Sequence, residues 1–395
     1  MNISFMTRFA GLILVAGFFY SCGSTQPNID ELVQNNQYER ALIQLDEMIE
    51  RNPDQPELYI QRGEISALLA RELNPEERTP LYSDTAEDFN TAEEYGATDA
   101  QKSSIDSLRQ QLWKDEHNEG LRASEREDDD QYQIAETHFT NAILLRSGAM
   151  SSYQNLAIAL FNQGKVDEAI ESLHTALNFT DDPPVALYEF LGYLYLEKGD
   201  PDEASQYYEL ANKNLADNLN IAFGLINAYI AAGNSEKAAE LLEPMVENNP
   251  QNADLRNVYG TQLYEITAQI MDDLKIAYQE NDSALVEQLQ LEAEGIGEQA
   301  EIQLVEAYKR DTLNTEYLES LAVFYNNLSG QYFSMLDVAF DSDEKELKEK
   351  ALTLIDFAIE YYTKLVEADP NNDVYNSKLN VLKNLKQNQS TSGQN

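Results

Sequence analysis

"QGKVDEAIESLHTALN" (residues 163–178) returns twice downstream in altered form, as "KGDPDEASQYYELANK" (198–213) and "AGNSEKAAELLEPMVE" (232–247). Gly164, Gly199 and Gly233 recur at nearly equal steps along the chain, and so do Ala169, Ala204 and Ala238. Self-similarity at such a fixed period marks a repeat architecture, in which one supersecondary unit stacks on the next. Ala and Gly at fixed places let two helices approach closely, and larger residues fill the gaps between pairs. The recurring Gly permits the chain to reverse, and a closing Pro stops the second helix.

The pattern holds over three consecutive copies. One spans 150–183, with Tyr153, Leu156, Ala157, Leu160, Ala169, Leu173 and Ala176. The next begins at 185 and shows Leu191, Gly192, Tyr195, Ala204, Tyr208 and Ala211; the third begins at 219, with Leu225, Tyr229, Ala238, Leu242 and Pro250. This order resembles the tetratricopeptide repeat, two antiparallel helices in about 34 residues. The resemblance implies an all-α fold: a right-handed helical solenoid of roughly seven to eight helix pairs.

Residues 28–149 read as divergent N-terminal repeats. "NQYERALIQLDEMIERNPDQPE" (36–57) is a second helix with Ala41 and Pro53; Tyr59 and Gly63 open a pair whose partner helix holds Phe89 and Ala92. Between these lies an expected insertion containing Pro75 and Pro80, and Gly120 with Ala135, Phe139 and Ala142 makes a further pair. Its turn, "EREDDD" (125–130), lacks the alternating ligands and central Gly of an EF-hand and reads as a solvated acidic turn.

Beyond the regular repeats (150–252) the spacing stretches. The repeat glycine and the repeat alanine lie close together in Gly192 and Ala204, but Gly260 and Ala300 stand roughly three times as far apart, as do Ala322 and Ala358. Residues 253–372 therefore read as two elongated hairpins, each helix longer by roughly 20 Å. "QENDSA" (279–284) and "DSDE" (341–344) are the expected tips, since both offer N-cap residues. Residues 373–387 read as the capping helix that a solenoid requires, and 388–395 as a disordered tail.

The 27 basic and 70 acidic residues give a formal charge of -43. That excess opposes nucleic acid and anionic lipid heads, and its even spread keeps the chain soluble. At 43% hydrophobic the chain can bury a large core. A single cysteine, Cys22, rules out internal disulfides and cysteine metal sites. It follows the layout of an export signal: Arg8, an uncharged and mostly apolar run over 9–19 too short to span a bilayer, then Ser21. This resembles the signal of bacterial lipoproteins, with 1–21 removed, Cys22 acylated and 22–27 a flexible tether. Residue 23 is Gly rather than Asp, which by the resemblance favours the outer membrane; of its two faces the periplasmic one is expected over the cell surface.

The chain has no GxSxG, HExxH, phosphate loop or CxxC, and no cofactor is expected. His117, His138 and His174 lie far apart, and the last two read as ordinary helix residues. A scaffold, not an enzyme, is the expectation. In the repeat family, first helices line a concave groove. Carried over, those positions are Gln154, Ile158, Phe161 and Asn162; Glu189, Tyr193, Leu196 and Glu197; Phe223, Asn227 and Ile230; then Asn257, Thr261, Tyr264 and Glu265. Asn can grip an extended backbone and the aromatics can accept apolar side chains. The groove holds no Lys or Arg, so it suits a basic or neutral-apolar segment rather than an acidic tail. The leading reading is a lipid-anchored envelope adaptor that binds another protein through the groove or the long hairpins, and touches the membrane through its lipid alone. Two others stay open: a surface lipoprotein capturing glycan or nutrient, and a homo-oligomer joined through the hairpins. A glycan site usually stacks sugars on Trp, and Trp113 is the only one.

Overall fold

The computed structural model describes residues 28–211 and 219–391, so Cys22 and the signal and tether readings lie outside the described residues. Among the described residues there are seventeen helices and no strands. They fall into two compact units that divide between Gln163 and Gly164.

The first unit comprises α1 (Ile29–Gln34), α2 (Tyr38–Arg51), α3 (Pro56–Ala70), α4 (Pro75–Glu94), α5 (Asp99–Ser124), α6 (Gln131–Leu145) and α7 (Met150–Asn162). Its hairpins close on glycine. A Cβ placed on Gly63 of α3 would lie 2.7 Å from the Phe89 ring of α4, and one on Gly120 of α5 2.6 Å from the Phe139 ring of α6. Only a residue without a side chain lets those rings sit flat on the facing helix.

The expected insertion around Pro75 and Pro80 is instead the first part of α4, a helix of 20 residues. Pro75 opens it, where a missing N–H costs nothing, behind Asn74, whose side chain accepts from the Glu77 amide at 3.0 Å. Pro80 sacrifices one intrahelical bond, but the extra turns bring Arg78 and Tyr82 to a buried polar cluster. There Glu116 of α5, 1% exposed, accepts from Arg78 (2.9 Å) and Tyr82 (3.0 Å) and pairs with His138 Nδ1 of α6 (2.7 Å). His138 is thus a buried partner of a carboxylate, not the ordinary helix residue that its repeat position suggested.

The second unit comprises α8 (Val166–Leu177), α9 (Val185–Lys198), α10 (Pro201–Ala211), α11 (Leu219–Ala231), α12 (Ser235–Asn248), α13 (Ala253–Glu280), α14 (Ser283–Arg310), α15 (Thr315–Met335), α16 (Glu344–Ala368) and α17 (Asp373–Thr391). Gly199, with φ +89°, ends α9 in the left-handed region and turns the chain into α10. The ring of Tyr208 on α10 is buried against both Gly192 of α9 and Gly224 of α11.

Helices α13 and α14 have 28 residues each. Asn281, left-handed with φ +57°, and Asp282, which accepts from the Leu285 amide at 3.1 Å, make the tip. At the base, Gly260 meets Leu304 as an ordinary repeat glycine meets its partner residue. The second long hairpin differs at its tip: α15 stops at Met335, and residues 336–343 form the link. The chain leaves the helix early because Phe340 packs edge-on against Tyr278, 5.1 Å between centroids, and Asp343 accepts from the Tyr278 hydroxyl at 2.9 Å. Asp343 therefore ties two hairpins together rather than capping α16 through its side chain. One hydrophobic core joins α13 to α16, and Leu379 and Leu382 of α17 close it. α17 runs on to Thr391, into the stretch read as a tail, because each residue added to an existing helix gains a hydrogen bond.

Two outcomes check this packing. Burial alone would push the Glu116 carboxyl up, but the His138 and Arg78 interactions outweigh it and hold the group below its ordinary 4.5. A depressed folded value contributes stability that is complete above the ordinary carboxylate value and is lost as pH falls through the folded value. Glu116→Gln is expected to cost about 3–5 kcal/mol at neutral pH. In urea titrations that gap should shrink as pH falls below 4.5; a pH-independent gap contradicts the assignment. Tyr278→Phe should cost about 1–2 kcal/mol in the same assay, since Asp343 Oδ2 loses its donor and Gln290 Nε2 its acceptor; no change would show that these bonds are idle.

Candidate functional site

The sequence-derived groove residues divide between the units. On α7 of the first unit, Gln154 and Phe161 are half-buried, while Ile158 and Asn162 are exposed. Asn162 already donates to the Ile158 carbonyl at 2.8 Å.

In the second unit α9 and α11 pack side by side through Tyr208, and the same register recurs on each. Glu189 and Phe223, Tyr193 and Asn227, and Leu196 and Ile230 are each one repeat period apart. Tyr193 is 38% and Phe223 40% exposed, with Asn227 and Glu197 also at the surface; Glu189, Leu196 and Ile230 are half-buried. Gly192 and Gly224 turn inward to Tyr208, so Tyr193 and Phe223, their immediate neighbours, are rotated by about 100° toward solvent. Phe190, which the repeat register did not single out, stacks on Tyr193 with centroids 6.3 Å apart. Its spacing of one helical turn from Tyr193 was the available signal.

The face is apolar and negative. α9 carries Glu189 and Glu197 and no base before Lys198, and α11 carries no charge at all. Burial, then the Glu197 carboxylate, to which the hydroxyl is hydrogen-bonded, pushes the Tyr193 hydroxyl up. Lys198 is engaged by Asp167 (3.2 Å) and Asp200 (3.3 Å). The arrangement offers aromatic surface, an amide and two carboxylates, which suits a segment with apolar and basic side chains.

The same register fails on α13. Asn257 and Tyr264 are buried, 5% and 8% exposed. Phe324 of α15 sits edge-on over Tyr264 at 5.6 Å, and Asn257, two turns earlier, lies on the same stripe. The neighbouring long helix covers these positions, so they are interior rather than groove-lining. Thr261 is half-buried and donates to the Asn257 carbonyl, and Glu265 is exposed.

The histidines are tied into the fold, His138 by Glu116. His117 Nδ1 and Trp113 Nε1 share Ser152 Oγ (3.0 and 2.9 Å), and His174 Nε2 meets the Tyr195 hydroxyl at 3.0 Å. Trp113 is thereby used within the fold. Among the described residues no three His, Cys, Asp or Glu side chains gather to hold a metal ion, and no helix is long and apolar enough to cross a membrane.

Residues 155–218 and 195–260 each match a tetratricopeptide repeat family model. No curated protein sequence matches the chain. Similar solved structures include YrrB, described as a TPR protein with an unusual peptide-binding site. It shares 19% identity over 60% of this chain and 95% of its own, with a TM-score of 0.39. The C-terminal part of a TPR repeat-containing protein from Cytophaga hutchinsonii shares 14% identity over 89% of this chain and 98% of its own, TM-score 0.37. A tetratricopeptide repeat protein from Parabacteroides merdae shares 16% over 69% and 99%, TM-score 0.39. Tetratricopeptide repeats, helix pairs that commonly serve as protein-interaction scaffolds, are thus detected across residues 155–260.

Proposed function

We propose that this chain is an adaptor of a bacterial cell envelope, anchored by a lipid on Cys22, that holds another protein on the α9/α11 face. The observation that carries the binding role is the placing of Tyr193, Phe223 and Asn227 at the surface of neighbouring repeat helices, beside Glu189 and Glu197. Two large aromatics partly exposed on one face form the kind of patch that partners use. The excess of carboxylates and lack of bases there favour a basic or neutral-apolar extended segment. The anchor rests on the run of Arg8, the apolar stretch 9–19, Ser21 and Cys22. With a lipid at one end and repeats along the rest, the chain would hold its partner close to the membrane, on the periplasmic side.

In-cell cross-linking of the tagged full-length protein, followed by mass spectrometry, tests the reading. One dominant envelope protein is expected, lost when Tyr193→Ser and Phe223→Ser are combined. Capture only of the chain itself, or of nothing, contradicts it. Cys22→Ser should move the protein from the membrane to the soluble fraction and leave its helical circular dichroism unchanged; retention on membranes would remove the lipid anchor.

A further inference from the structure

The outer side of α14 carries a second apolar surface, separate from the α9/α11 face. This helix buries Val286, Ala293, Gly297, Ala300, Leu304 and Ala307 on one side. On the opposite side Ala284, Leu291, Gly295 and Ile302 are exposed, Leu291 to 75% and Ile302 to 49%. Ala284 to Leu291 is one heptad, Leu291 to Gly295 one helical turn, and Gly295 to Ile302 a second heptad, so the four lie in one line with the spacing of a coiled-coil seam. A Cβ added to Gly295 would meet nothing within 4 Å, so the middle of the line is an open notch into which a second helix could lower a side chain. A surface helix needs one apolar stripe to join its core; α14 has two, and among the described residues the outer one stays exposed.

The flanks of the stripe say what would fit it. Glu287, Glu292 and Glu298 are exposed beside it, and α14 has no Lys or Arg before Lys309. Among the described residues none of these three is held in an ion pair, whereas Glu294 is tied to Lys350 and Glu306 to Arg310. A second copy docking through its own α14 would set these carboxylates against each other. We infer that the outer face of α14 docks an amphipathic helix of another protein, with apolar residues at heptad spacing and Lys or Arg on either side of them. The elongation of this hairpin then has a use: it supplies a helical surface longer than an ordinary repeat helix can present.

A labelled three-heptad peptide with Leu at a and d and Lys at e and g is the probe, since its own charges keep it from self-pairing. Its counterpart carries Glu at e and g. Fluorescence anisotropy with the full-length protein should show the Lys peptide binding with Kd below about 100 µM and the Glu peptide not binding. Leu291→Ser with Ile302→Ser should weaken the Lys peptide about tenfold or more. Gly295→Phe should do the same by filling the notch, and all these positions are exposed, so circular dichroism should be unchanged. Tyr193→Ser with Phe223→Ser should leave this binding intact, which separates it from the adaptor face. Three results overturn the inference: no binding by the Lys peptide, equal binding to the wild type and the α14 variants (charge attraction alone), or a dimer that Leu291→Ser with Ile302→Ser abolishes.

Discussion

The close approach of an aromatic ring to a glycine on the facing helix is the contact on which the rest of the structure depends. Tyr208 lies between Gly192 and Gly224, Phe89 on Gly63 and Phe139 on Gly120. Each ring is almost wholly buried, so each contact brings the dispersion and burial energy of a large side chain to a point where two helix backbones nearly touch. Where the neighbouring residue is Tyr193 or Phe223, the same geometry has a second effect. With the glycine turned inward, the adjacent aromatic is left facing water. Packing thus sets out the exposed aromatics of the α9/α11 face as a by-product of the hairpin closure.

The charge balance imposes the second constraint. With 70 acidic residues and 27 basic ones, most carboxylates cannot have a cation. The chain also uses tyrosine. Tyr82 donates to Glu116, Tyr229 to Glu209, Tyr278 to Asp343, Tyr317 to Asp254, Tyr325 to Glu301 and Tyr375 to Glu319, each bond joining different helices or a helix to a link. A phenol brings an apolar ring and one donor, so it can fill a core and satisfy a carboxylate at its edge. The carboxylates left over, such as Glu287, Glu292 and Glu298, are at the surface, where water solvates them.

Much of this was legible in the sequence because the repeat fixes register. Gly63 with Phe89, Gly120 with Phe139, and Gly192 with Tyr208 could be placed on paired helices from their order alone, and Tyr193, Phe223 and Asn227 were read as outward-facing from the resemblance to the repeat family. Features that depend on which helix lies over which were not legible. Asn257 and Tyr264 hold groove positions by count but lie beneath α15, whose Phe324 covers the stripe. Pro80 looked like a break, yet its helix continues because the turns around it deliver Arg78 and Tyr82 to Glu116. His138 sits near a consensus alanine and gives no local sign that a buried carboxylate faces it. Phe340 ends α15 early through a contact with Tyr278, which belongs to the other long hairpin and is remote in the chain.

The most direct test of the central contact is a double-mutant cycle at Gly192 and Tyr208, read as unfolding free energy in urea. The account predicts that Gly192→Ala costs about 1–3 kcal/mol when Tyr208 is present, because the new methyl meets the ring. In a Tyr208→Leu background the same change should cost much less, giving a coupling of at least about 1 kcal/mol. Equal costs in the two backgrounds would mean that ring and glycine act independently, and the seating of helices on glycine would not be what holds these hairpins closed.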